Sequence, residues 1–191
     1  MIFLDAGHCA DKNSPNYDPG ACAQNETEAS IAKLYRDTIK NLLEAKGAKV
    51  VIDEDRDKLA EVIQDFTVSR PGDIVLSIHL NAASAQATGV EAFYPVRFIE
   101  AEQDFAEEIS EGLAAIYTIK NRGAKDETKS QHKKLGILKP NGINCLVELG
   151  FITNQNDLIQ IKTKLNQACE FISDLVWEYE LMFRPDGSVN Q

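Results

Sequence analysis

The sequence predicts an α/β fold: a single domain with a twisted, mostly parallel or mixed central sheet and helices on both faces. Three observations carry this. Short apolar runs alternate along the chain with longer segments of helical periodicity. The run Asp73–Leu80 is nearly continuously apolar, as in a strand covered on both faces. The 191 residues, 43% hydrophobic and 26% charged, are enough for one core without disulfides or structural metal.

Taken in order, Ile2–His8 is a first short hydrophobic strand that runs out at His8. After Asn25, Ile31, Leu34, Tyr35, Thr38, Ile39, Leu42 and Leu43 recur at i, i+3, i+4 spacing, which marks the clearest helix. Asn25 followed three residues later by Glu28 reads as an N-cap and capping box, and Gly47 as the stop. Ala48–Ile52 is a strand. Leu59, Val62, Ile63 and Phe66 mark a shorter helix closed by Pro71-Gly72. Asp73–Leu80 and Gly89–Tyr94 are strands, and Phe105, Ile109, Leu113 and Ile116 give a helix from Ala101 to Ile119. Asn121–Pro140 is polar, Lys-rich and read as a loop. Asn144–Gly150 is the last buried strand, and Leu165, Ala168, Cys169, Ile172, Leu175, Val176 and Tyr179 line one face of a C-terminal helix. With no repeat and no linker, residues 1–184 are expected to form the domain and 185–191 a flexible tail.

A formal charge of −10 argues against nucleic acid or anionic lipid as partners held by charge. The four cysteines, Cys9, Cys22, Cys145 and Cys169, form no metal-binding or scaffold spacing, so reduced thiols are expected. Met1 runs straight into a strand, so no signal peptide is read, and no apolar run is long enough to span a bilayer. Synthesis in the cytoplasm without export signal follows as an expectation.

Two of the three histidines, His8 and His79, stand where short hydrophobic strands run out. In open α/β sheets ligands and metals bind at the carboxyl ends of the strands. Singly, each reads as a structural histidine. Together, beside the small residues Ala6-Gly7 and Asn81-Ala82, they point to a metal site. Glu26 is the candidate third ligand, because two His and one Glu form a standard catalytic zinc set. First-turn helix charge explains Glu26 and Glu28 equally well. Glu148 ends an otherwise apolar strand, where a charge is costly unless paired or functional; a structural salt bridge is the alternative. His132, among lysines, reads as solvated.

These residues carry a resemblance. Asp5-Ala6-Gly7-His8, Gly20-Ala21, Asn25-Glu26, Ser77-Ile78-His79-Leu80-Asn81-Ala82, Gly89-Val90-Glu91 and Val147-Glu148-Leu149-Gly150-Phe151-Ile152-Thr153-Asn154 resemble, in order, motifs of the zinc-dependent N-acetylmuramoyl-L-alanine amidases of the Amidase_3 type. Asn121-Arg122-Gly123-Ala124-Lys125 is similar to a segment common in the phage endolysin members. Ala6 departs from the family's proline and Cys9 from its glycine.

The resemblance implies one Zn2+ per chain held by His8, Glu26 and His79, with Glu148 as catalytic acid/base. The family spacing to Ile31 selects Glu26 over Glu28. It implies a peptidoglycan hydrolase that cuts the amide between N-acetylmuramic acid and L-alanine of the stem peptide. Asn81 and Lys125 are the candidate substrate contacts, and lysines of the Asn121–Pro140 segment are further candidates for stem-peptide carboxylates. The expected partner is peptidoglycan, with no nucleic acid, no membrane insertion and a monomeric chain. The expected place of action is the cell wall or periplasm, after holin-mediated release if the setting is a phage. The alternatives are a murein-binding module that does not cut, or a zinc peptidase or deacetylase acting on wall fragments.

Overall fold

A computed structural model describes residues 1–55 and 58–184; the expected tail, 185–191, lies outside the described residues. β1 (Ile2–Ala6) is followed by a small hairpin, β2 (Cys22–Ala23) and β3 (Glu26–Thr27), that leads into α1 (Glu28–Ala45). Then come β4 (Val50–Ile52), α2 (Leu59–Phe66), β5 (Ile74–Asn81), β6 (Val90–Tyr94), α3 (Glu100–Tyr117) and β7 (Asn121–Asp126). Two single 3-10 turns, Glu127–Lys129 and Gly136–Leu138, precede β8 (Ile143–Phe151), α4 (Gln155–Thr163) and α5 (Leu165–Phe183). Six strands form one sheet in the order β4-β1-β5-β8-β6-β7. β4, β1, β5 and β8 run parallel, whereas β6 meets β8 antiparallel and carries β7 parallel to itself. This is the expected mixed α/β sheet.

The two sheet faces differ because successive side chains of a strand point to opposite sides. Ile2, Leu4, Ile74, Leu76, Ile78, Val90, Ala92, Cys145, Val147 and Leu149 join α1, α3 and α5 in the main core. Phe3, Val75, Phe93 and Leu146 point the other way, where Val62 and Phe66 of α2 and the turn residues Ile137 and Leu138 cover them in a smaller cluster. The next residues of the same register on that second face are Asp5, Ser77, His79, Glu91 and Glu148. There the cover ends. No helix among the described residues is long and apolar enough to cross a membrane.

Three elements depart from the sequence expectation. Asn121–Asp126 is a strand rather than loop, paired only to β6 at the sheet edge and mostly half-buried. An edge strand with one neighbour needs no apolar alternation, so its polar sequence hides it. α4 has only Asp157, Leu158 and Ile161 buried, too thin a stripe to read, although Asn154 caps it by accepting from Asn156 N at 2.9 Å and Asp157 N at 3.1 Å. α1 is capped by Thr27, whose hydroxyl accepts from Ser30 N at 3.2 Å, not by Asn25. Gln24 (φ 53) and Asn25 (φ 65) instead form the two-residue turn of the β2–β3 hairpin, a turn type that requires positive φ at both positions.

Candidate metal centre and active site

Because β1, β5 and β8 are parallel, their carboxyl ends share one edge of the sheet. Asp5 pairs in register with Ser77, and His79 with Glu148. His8 stands just beyond β1 in a left-handed conformation (φ 72), uncommon for a residue with a side chain and of the kind that collects at functional sites. Two glycines leave room for the imidazoles. A Cβ on Gly7 would lie 2.2 Å from His79 Cε1; one on Gly20 (φ +63) would lie 2.6 Å from His8 Cδ2 and 2.7 Å from Glu28 Oε2.

The carboxylate between the two rings belongs to Glu28. Its Oε1 lies 2.9 Å from His79 Nδ1 and accepts from Leu80 N at 3.1 Å. Its Oε2 lies 3.1 Å from His8 Nε2 and accepts from Ala21 N at 3.0 Å. One ligand atom from each of His8, Glu28 and His79 falls within 4.8 Å of the others. Burial alone would raise the Glu28 pKa, but hydrogen bonds from His79 and His8 hold it well below the usual carboxylate range. Burial likewise opposes protonation of His8, yet Glu28 and Asp18 raise it to about 9. Asp18 Oδ2 sits 2.9 Å from His8 Nδ1 and so orients that ring, as outer carboxylates do for metal-binding imidazoles.

Glu26 does not reach this cluster. Its Oε1 forms an ion pair with Lys162 on the outer surface. The correction has a local cause: the hairpin turn at Gln24–Asn25 places Glu26 in β3 opposite Ala23, and the chain turns inward only at Glu28, the first residue of α1. The spacing to Ile31 pointed to Glu26, whereas the carboxylate that meets both imidazoles is that of Glu28.

Glu148 lies beside His79 on the uncovered face. Its Oε2 is sealed from solvent and has no hydrogen-bond partner among the described residues. Burial, reinforced by the charges of Glu28 and Glu91 against the opposing pull of His79, raises its pKa to about 7. An unpartnered buried carboxylate oxygen is costly and calls for a functional explanation.

Asn81 and Lys125 both turn to Glu91, which stands next to Glu148 across the antiparallel pair. Asn81 Nδ2 donates to Glu91 Oε1 at 2.5 Å, Arg122 Nε to Oε2 at 2.9 Å, and Lys125 Nζ pairs with the same Oε2. Lys125 therefore spends its charge within the protein. The sequence reading gave no site role to Glu91, Asp5 or Asp18. The signal that could have found the first two is a carboxylate within an apolar strand. Asp5 is buried and accepts from Ser77 Oγ at 2.5 Å beneath His79. Cys9 is buried, its thiol donating to Asp55 O at 2.7 Å.

A cavity of about 890 Å³ opens over the cluster. Asp5, His8, Glu28, His79, Glu91 and Glu148 line it on the sheet side, and Lys58, Val62, Lys129–His132 and Lys134–Ile137 complete its lining.

Comparison with known proteins agrees with this architecture. A family model described as N-acetylmuramoyl-L-alanine amidase, Amidase_3, matches residues 2–173. The uncharacterised protein YqiI of Bacillus subtilis (strain 168) is 27% identical over 165 residues, covering 82% of this chain and 72% of that protein. The structure of the putative N-acetylmuramoyl-L-alanine amidase of Neisseria meningitidis is 26% identical with a TM-score of 0.75, covering 93% of each chain. The amidase of Clostridium difficile 630 is 23% identical with a TM-score of 0.75, covering 93% of this chain and 95% of that one. The catalytic domain of an endolysin targeting Clostridia difficile is 20% identical with a TM-score of 0.70, covering 93% and 96%; at these last two identities the likeness speaks for the fold. With a family match that runs from the first strand into the last helix, this chain belongs to the Amidase_3 family of N-acetylmuramoyl-L-alanine amidases.

Proposed function

We propose that the chain hydrolyses the amide between N-acetylmuramic acid and L-alanine of the peptidoglycan stem peptide, with one zinc ion held by His8, Glu28 and His79 and with Glu148 as the acid/base. The observation that carries the reading is the meeting of two imidazoles and one carboxylate within 4.8 Å, beside a glutamate with a sealed, unpartnered oxygen. The donor set fits: two histidines and a glutamate at the edge of a cavity are a catalytic zinc set that leaves a coordination position open. When bound, zinc supplies a Lewis acid that polarises the scissile carbonyl and acidifies water.

The protein's own groups account for the remaining chemistry. Glu28, fixed by Leu80 N and Ala21 N, offers its two oxygens in a set direction, and Asp18 holds the His8 ring. Glu148 takes the proton of the attacking water, then returns it to the alanine nitrogen as the carbon–nitrogen bond breaks. A pKa near 7 suits a group that must both accept and donate at neutral pH. The proposed substrate is a cell-wall polymer, so the expected place of action is the wall.

The test is digestion of purified sacculi with mass spectrometry of the products. The wild type should release stem peptides with a free N-terminal L-alanine and neither acetate nor split cross-links. Glu148→Gln should lose about 10²–10⁴-fold in rate while still binding one zinc per chain. Glu28→Gln should lose the metal itself. Near-normal cleavage by Glu148→Gln, or full zinc content in Glu28→Gln, would sink this mechanism.

A further inference from the structure

The cavity above the cluster is electrically divided. In its lining, Asp5, Glu28 and Glu91 are met by Ser77, by His8 and His79, and by Arg122 and Lys125, whereas Lys58, Lys129 and Lys134 stand in the same lining without a carboxylate partner among the described residues. Lys33, Lys40, Lys46, Lys125 and Lys162 each pair with a carboxylate. Lys58, Lys129 and Lys134 have no such partner among the described residues; neither have Lys12, Lys49, Lys120, Lys133 and Lys139, and what singles out the three is their place in the cavity lining.

The wall that carries two of them is built, not loose. Glu127 is buried, and its carboxylate accepts from Val96 N at 3.3 Å and Leu135 N at 2.6 Å, clasping the loop from both ends. Ser130 N donates to Glu127 O at 3.1 Å and Lys133 N to Ser130 O at 3.2 Å. Beyond it Ile137 and Leu138 are anchored in the small apolar cluster with Val62 and Phe66. Gly136 comes so close to α2 that a Cβ there would stand 2.7 Å from Ile63 Cδ1. Flexible ammonium groups thus project from a backbone held over the site.

Resting on the amidase reading, we infer that Lys58, Lys129 and Lys134 form the subsite for the free α-carboxylate of the acidic residue that follows L-alanine in the stem peptide. That residue is joined through its side-chain carboxyl, so its α-carboxyl is either free or amidated. Its position is about 7 Å along the peptide from the scissile bond, within the cavity. The sheet-side carboxylates of Glu28 and Glu91 are already met by His8, His79, Arg122 and Lys125, so among the described residues the three lysines are the cavity's free positive charge and set the direction in which the peptide lies. The wall then discriminates free-acid from amidated stem peptides.

The experiment compares two muramoyl dipeptides, N-acetylmuramoyl-L-Ala-D-isoglutamate and its isoglutamine amide, as substrates of the full chain. A partly exposed ion contact contributes about twofold to fivefold, so the wild type should favour the acid by about tenfold in kcat/KM. The preference should shrink with added salt and reside mainly in KM. In Lys58→Gln/Lys129→Gln/Lys134→Gln it should approach one, whereas Lys49→Gln, at the other end of the sheet, should retain it. Equal cleavage of both compounds by the wild type, or an unchanged preference in the triple variant, overturns the inference and leaves the amidase reading standing. Cleavage of neither compound, with sacculi also untouched, overturns the amidase reading and the inference with it.

Discussion

The two faces of the sheet are made from the same strands and obey opposite demands. On one, alternate residues of β1, β5, β6 and β8 are apolar along their whole length and lie under α1, α3 and α5. On the other, only Phe3, Val75, Phe93 and Leu146 are apolar, under α2 and the Gly136–Leu138 turn. Toward the carboxyl ends of β1, β5 and β8, and at the start of the antiparallel β6, that face carries Asp5, Ser77, His79, Glu148 and Glu91. The thick face stabilises the fold by burying area; the thin face bears desolvated charge that the thick face must compensate. The lesson is that stability and chemistry are separated by strand parity, one side chain up and the next down.

The largest stability effect expected from breaking this division is on the thick side. Phe105 is fully buried between α3 and α5, its ring 4.8 Å from Tyr179. Phe105→Ala should cost about 3–5 kcal/mol in chemical denaturation, while zinc content at temperatures below the lowered midpoint stays at one per chain. Loss of zinc from the folded variant would show that the faces are not separable.

Glu148→Gln probes the thin side with the opposite sign. The folded-state pKa is raised from the ordinary 4.5 to about 7. Below 4.5 both folded and unfolded chains hold the proton. Between 4.5 and 7 the unfolded chain releases it and the folded chain keeps it, so stability falls as pH rises and the loss is complete above 7. In metal-free protein the glutamine variant avoids a penalty of about 3 kcal/mol. Its thermal midpoint should exceed the wild type's at about pH 8, and the gap should close toward acid. A midpoint difference that does not vary with pH would contradict a buried, charge-strained Glu148.

The smallest effect belongs to Glu26. Its ion pair with Lys162 is half-exposed, and such surface pairs contribute about 0–1 kcal/mol. Glu26→Gln should change stability within that range and leave zinc at one per chain. Loss of zinc from this variant would return the ligand role to Glu26 and break the present geometry.

Much of the thick face was legible in the sequence, because helix and buried-strand periodicities are local and strong. β7 and α4 were not: the first is a polar edge strand with one neighbour, the second buries three side chains. At the site, His8, His79 and Glu148 were legible because a polar group at the end of an apolar run is conspicuous. Lys125 and Asn81 were read as substrate contacts, yet both face Glu91, a partnership set by pairing between β6 and β7 and between β6 and β8.

The sequence by itself determined an α/β chain, two strand-end imidazoles, a strand-end glutamate and a carboxylate near the start of the first long helix. The tertiary structure alone decided which carboxylate meets the two imidazoles. Glu26 and Glu28 are indistinguishable by composition and nearly so by spacing. Their fates part because a left-handed two-residue turn sets the hairpin register, and because Ala21 N, Leu80 N, His8 and His79 converge on one point only when β1 and β5 are laid side by side. A ligand set is a non-local object, and it exists only once the sheet has brought its members within reach.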